Sequence, residues 1–165
     1  MFSKYFTRWV KLTTKVVAPA FLLVLIATQV LAASSCKKVK GKFTLESVTG
    51  PDCVSSVDIC ANGNFSGDFA GTSVFTGTSL VPSADTPTTG VVFLTGDTII
   101  STNGGTILTK DAISLATTGA GEFGEVDTII GGTGEWFGYT GKFTATGTFA
   151  NGSGEGTYSG LVCTP

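Results

Sequence analysis

The chain contains no histidine, and its one arginine, Arg8, and one methionine, Met1, both lie in the first eight residues. Without histidine the commonest proton shuttle and the usual base of nucleophile triads are missing. Without arginine past the leader there is no forked clamp for phosphate or carboxylate groups. No Cys-x-x-Cys spacing occurs, so the four cysteines find neither sulfur nor imidazole partners in a metal-ligand pattern. Beyond residue 32 no ten-residue stretch carries the apolar spacing of an amphipathic helix. What remains is glycine and threonine, 23 of each past that point, which is the composition of an all-β protein.

Lys4, Arg8, Lys11 and Lys15 precede an uncharged run over 16–30, and Ala32 supplies a small residue for cleavage. Residues 1–32 therefore read as a secretory signal peptide, with a mature chain exported to a periplasm or the outside. The rival reading, a membrane anchor, needs ~20 apolar residues, whereas the uninterrupted stretch 16–27 stops at Thr28 and Gln29. No membrane span is expected after cleavage. Lipid attachment at Cys36 is disfavoured because Leu31-Ala32 sits two places too early.

The mature chain has six basic residues against twelve acidic ones, and from Phe43 onward only Lys110 and Lys142 oppose all twelve carboxylates. That balance disfavours a nucleic-acid surface, which needs a basic face to neutralise phosphates. The remaining lysines, Lys37, Lys38, Lys40 and Lys42, cluster around a short lead over 33–41 that reads as a solvated arm before a single domain over 42–165. Cys36, Cys53, Cys60 and Cys163 all survive cleavage, and an even count in an exported chain implies disulfides. Of the three pairings, Cys53 with Cys60 and Cys36 with Cys163 are favoured, the first bracketing a short polar loop and the second tying the ends of a closed barrel.

Alternation and turn signals give candidate strands over 42–48, 64–71, 72–81, 91–101, 106–111, 112–117, 123–130, 142–150 and 155–163. In 142–150, Phe143, Ala145, Gly147 and Phe149 share one face and Thr144, Thr146 and Thr148 the other. After the turn Asn151-Gly152-Ser153-Gly154, Tyr158, Gly160 and Val162 continue the apolar parity. Eight or nine short antiparallel strands fit a closed meander barrel, although a two-sheet sandwich leaves much the same pattern. Residues 82–90 and 49–63 read as loops, the natural candidates to rim a mouth.

The densest signal is Gly131-Gly132-Thr133-Gly134-Glu135-Trp136-Phe137-Gly138-Tyr139-Thr140-Gly141. No Lys-Ser/Thr follows it, so it is not a phosphate loop. Trp136 occupies the position that a calcium-binding nonapeptide would give to Asp, and the unit is not repeated. Its glycines read as architectural, allowing unusual backbone angles and close packing at a strand junction. The stretch resembles the signature shared by allene oxide cyclases and, more loosely, plant dirigent proteins, with the likeness carried by 129–147. The resemblance implies an antiparallel eight-stranded β-barrel, tips the choice away from the sandwich, and implies activities that rest on holding a greasy molecule in one conformation. No catalytic residue is carried over from it.

Carboxylates and tyrosines are the remaining chemical groups near predicted apolar faces: Glu46, Asp68, Asp127, Tyr139 and Tyr158. Alternation turns Glu46 and Asp68 outward, where acids are usually solvated; an acid buried in an apolar cavity would have a raised pKa and could serve as an acid. Trp136, Tyr139, Phe143, Phe149 and Tyr158 are the expected ligand-lining aromatics. Three function classes follow: a barrel binding a small hydrophobic ligand without chemistry, which is favoured; a cyclase or isomerase working in such a cavity; and a surface or matrix protein with a filled core. No cofactor and no metal is implied.

Overall fold

The computed structural model describes residues 35–165; the signal-peptide reading of 1–32 falls outside them. Eight strands follow one another: β1 (Cys36–Val48), β2 (Cys60–Gly67), β3 (Gly71–Pro82), β4 (Val91–Thr102), β5 (Gly105–Ala116), β6 (Glu122–Gly132), β7 (Thr140–Ala150) and β8 (Ser153–Cys163). Each pairs antiparallel with the next, and β8 returns to β1, closing a barrel. Closure leaves no sheet edge to be managed. The candidates 106–111 and 112–117 are one strand, since β5 pairs with β4 without a break from Thr102↔Gly105 to Val91↔Ala116. Aspartate is poorly placed in strands by local preference, but Asp111 is held there by neighbours on both sides. β1 begins at Cys36, so Lys37, Lys38, Lys40 and Lys42 lie on the strand that closes the barrel and not on an arm ahead of it.

The alternation carries through to the interior. Val39, Phe43, Phe143, Ala145, Tyr158 and Val162 are buried on three adjacent strands, β7, β8 and β1. Large inward rings are accommodated by inward glycines. A Cβ at Gly41 would come within 2.5 Å of the Tyr158 hydroxyl, and one at Gly156 within 2.5 Å of the Phe43 ring. β6 carries a bulge: Leu108 faces Gly131 and Thr109 faces Ile129, leaving Ile130 unopposed. The bulge bends the strand where the glycine-rich stretch begins.

That stretch ends β6, makes a 3₁₀ turn at Gly134–Trp136 and starts β7. Gly134 and Gly138 have φ of +60° and +75°, values that favour glycine. The turn drops Trp136 into one end of the barrel, where its Nε1 donates to Thr102 Oγ1 at 2.9 Å. There Phe69 meets Trp136 edge-on at 5.6 Å and Phe143 at 5.2 Å, forming an aromatic plug. The Lys37 ammonium lies 5.5 Å over the Trp136 ring. Cys36 and Cys163, opposite each other in the β1–β8 register, form a disulfide at this same end. Cys53 and Cys60 form the second, which staples the loop between β1 and β2. Both pairings are the ones favoured from the sequence.

Candidate functional site

The opposite end of the barrel is not plugged. A cavity of about 320 Å³ runs inward from it, rimmed by Val48, Thr49, Asp58 and Ile59 beside the stapled loop. Its wall is apolar, with Phe43, Phe65, Phe75, Leu94, Ile113 and Phe123 among its residues. Glu125 and Asp127 are the acids in its deeper wall. No basic side chain lines it.

The acids reach the interior by strand parity. On β6 the inward set is Phe123, Glu125, Asp127 and Ile129, anchored by the buried rings and branches at either end. On β5 the matching set is Ile107, Thr109, Asp111 and Ile113. Asp111 and Asp127 face each other directly across the two strands. One oxygen from each of Asp111, Glu125 and Asp127 lies within 4.8 Å of the others. Asp111 and Asp127 are each only 4% exposed.

Their environments differ. Asp111 accepts hydrogen bonds from Thr98 Oγ1 and Thr109 Oγ1, each at 2.6 Å and each to a different oxygen. Burial pushes its carboxyl up, and the hydroxyls of Thr109 and Thr98 pull the other way. Glu125 is pushed up to about 8, by burial first and then by the charge of Asp111. Asp127 is pushed up to about 11, again by burial first and then by the charges of Glu125 and Asp111. Asp127 Oδ2 has no hydrogen-bond partner among protein donors. Two carboxyl oxygens can bond to each other only through a proton, so a protonated Asp127 converts its meeting with Asp111 and Glu125 from repulsion to hydrogen bonding. At neutral pH the arrangement thus presents neutral acids to an apolar space, a chemistry suited to donating a proton or a hydrogen bond.

The acids expected from the sequence separate accordingly. Glu46 is exposed on β1. Asp68 is also exposed, in the turn after β2, and accepts the Lys40 backbone N–H at 2.8 Å. Asp127 alone of the three is interior, and its companions Asp111 and Glu125 were missed. Among the aromatics, Phe143 and Phe149 line the cavity. Trp136, Tyr139 and Tyr158 do not; they pack at the plugged end, with Tyr139 against Trp136 at 5.3 Å and Tyr158 against Phe69. Tyr158 is tied down by its hydroxyl, and burial raises its pKa. The motif glycines Gly131, Gly132, Gly134, Gly138 and Gly141, with Thr133, belong to that same end and do not line the cavity.

No family model, curated protein or solved structure matches this chain. The architecture implied by the resemblance, an eight-stranded antiparallel barrel, is present. No helix among the described residues is long and apolar enough to cross a membrane, and two disulfides fit a non-reducing compartment.

Proposed function

We propose that the chain is exported and that its disulfide-bonded barrel binds a small hydrophobic ligand inside the open end. The observation that carries this reading is the cavity of about 320 Å³ with its largely apolar wall, at the lower end of the usual ligand-pocket range of roughly 300–1,000 Å³. Removing apolar ligand surface from water there supplies the driving force, at about 25 cal/mol per Å². The cavity also counts against a filled, purely structural barrel. The likeness of 129–147 to allene oxide cyclases and dirigent proteins points the same way, since both hold greasy molecules.

A second reading, a cyclase or isomerase acting on a lipid- or phenol-derived substrate, is favoured by one observation. Glu125 and Asp127 face the cavity as acids whose protons are retained by burial. A neutral carboxyl in an apolar pocket can protonate or polarise a substrate oxygen held against it.

The binding reading is tested with an environment-sensitive apolar fluorophore. Ala145 is buried and lines the cavity, so Ala145→Phe should fill the space and abolish binding, whereas Thr146→Ala on the outer face should leave it unchanged. Undiminished probe binding by Ala145→Phe would remove the cavity as the site.

A further inference from the structure

We propose that the ligand is a hydrophobic amine, its apolar body filling the cavity and its protonated nitrogen docking between Glu125 and Asp127. This rests on the binding reading above and specifies the head group. The starting point is an imbalance of donors. Asp127 is 4% exposed and its Oδ2 receives no hydrogen bond from the protein. The two nearby hydroxyls, of Thr98 and Thr109, are both spent on Asp111. Even counting the protons that Glu125 and Asp127 retain, the six oxygens of the three carboxyl groups meet only four O–H donors, and an alkylammonium brings up to three N–H donors together with a positive charge.

Charge selects in the same direction. The charged residues lining the cavity are Asp58 at the rim and Glu125 and Asp127 within, all acidic. An anionic head group driven to the floor would be desolvated within reach of the Asp111 charge, with no cation in the lining to offset it. A bare divalent cation is less well served than an ammonium. It would need Asp111 as third ligand, yet both Asp111 oxygens are already bonded to hydroxyls and Asp111 does not line the cavity.

Binding of this kind moves protons. An ammonium favours the ionised form of the carboxyls it touches, so its arrival expels a proton from Glu125 or Asp127 to solvent. The groups facing the site are Thr98 of β4, Asp111 of β5, and Phe143 and Ala145 of β7. Asp97, which acts on Asp111 by charge, is paired with Lys110. Of the groups facing the site only Asp111 titrates, and both its oxygens already accept hydroxyl protons in hydrogen bonds. Affinity should therefore rise with pH toward about 8, where Glu125 loses its proton, and fall once the amine itself deprotonates near ~10.4.

Calorimetric titration with decylamine, decanol and decanoate, each below its micellar concentration, tests the head group at constant chain length. Decylamine is expected to bind at least tenfold tighter than decanol at pH 8, with decanoate weakest. Its binding enthalpy should vary with the ionisation enthalpy of the buffer, reporting proton release. Glu125→Gln should remove the preference for the amine while leaving decanol binding in place. Equal or tighter binding of decanol or decanoate would overturn the proposal and leave the hydrophobic-binding reading standing. Failure of all three probes would overturn both. Displacement of decylamine by calcium chloride, lost in Asp111→Asn, would assign the carboxyls to a metal and overturn the proposal as well. Should Glu125→Gln not fold, the buffer dependence measured on the unaltered protein decides alone, and its absence refutes the ammonium–carboxylate contact.

Discussion

Tyr158 and Phe69 lie face to face, their ring centroids 5.1 Å apart and their planes within 5°. The same tyrosine also holds Phe69 by its backbone: the hydroxyl accepts the Phe69 N–H at 2.8 Å and donates to the Ser66 carbonyl at 3.0 Å. One side chain on β8 thus fixes the turn between β2 and β3 by stacking and hydrogen bonding together. Tyr158→Phe keeps the stack and strands a buried amide, so it should cost about 1–3 kcal/mol. Tyr158→Ala also empties the plug and should cost about 3–5 kcal/mol. Urea denaturation of the two variants separates the contributions.

Thr98 and Thr109 are the donors that make a buried Asp111 tolerable. Replacing either hydroxyl with a methyl, as in Thr109→Val, preserves shape and removes one charge-assisted bond, a loss of about 1.5–3 kcal/mol. Thr146→Val, on the exposed face of β7, should stay within about 0.5 kcal/mol. Thermal melts of the three variants at pH 7 would rank them.

The acid cluster also sets how stability responds to pH. Asp127 and Glu125 have folded-state pKa values of about 11 and about 8, above their ordinary values of 3.8 and 4.5. Between those limits the folded state binds more protons than the unfolded one, so stability contributed here is full below about pH 4 and is lost progressively as pH rises. Asp127→Asn, which mimics the neutral acid, should raise the melting temperature relative to the unaltered protein at pH 9 far more than at pH 4. Equal shifts at the two pH values would mean that Asp127 is not protonated in the folded state.

The two disulfides should differ in worth because they close loops of very different length, with separations of 127 and 7 residues. By chain entropy the double replacement Cys36→Ser with Cys163→Ser should cost roughly 5 kcal/mol, and Cys53→Ser with Cys60→Ser roughly 2.5 kcal/mol. The second pair should chiefly loosen the cavity rim, detectable as faster amide exchange over residues 49–59 with the strands still protected. Uniform loss of protection would show that the staple supports the whole barrel.

Most of the barrel is legible in the chain because alternation is a local signal. Phe143, Ala145, Tyr158 and Val162 declare their face by parity alone, and the structure buries all four. The same rule carries the site as well. Glu125 and Asp127 share parity with Phe123 and Ile129, so two acids at apolar positions are visible without any structure. Asp111 escapes because a strand break set at Asp111–Ala112 makes it a strand end and hides its parity with Ile113. Which end stays open is a different kind of question. It depends on Trp136 being carried inward by a 3₁₀ turn and on Tyr158 reaching the β2–β3 turn, contacts between residues far apart in the chain. No local pattern separates the aromatics that plug the barrel from those that line the cavity.

The pairing of β1 with both β2 and β8 has a consequence for how the molecule comes into being. The strand that leaves the ribosome ahead of the others is completed only when the final one arrives, since eleven register pairs from Cys36↔Cys163 to Glu46↔Ser153 join the two ends of the sheet. Contacts of such long sequence separation slow folding. A chain halted before Ser153 keeps β1 and β7 as two open edges, each a template for pairing with another molecule. The interval between emergence of β1 and docking of β8 is therefore the period in which the unfinished barrel exposes unpaired strand edges to other molecules.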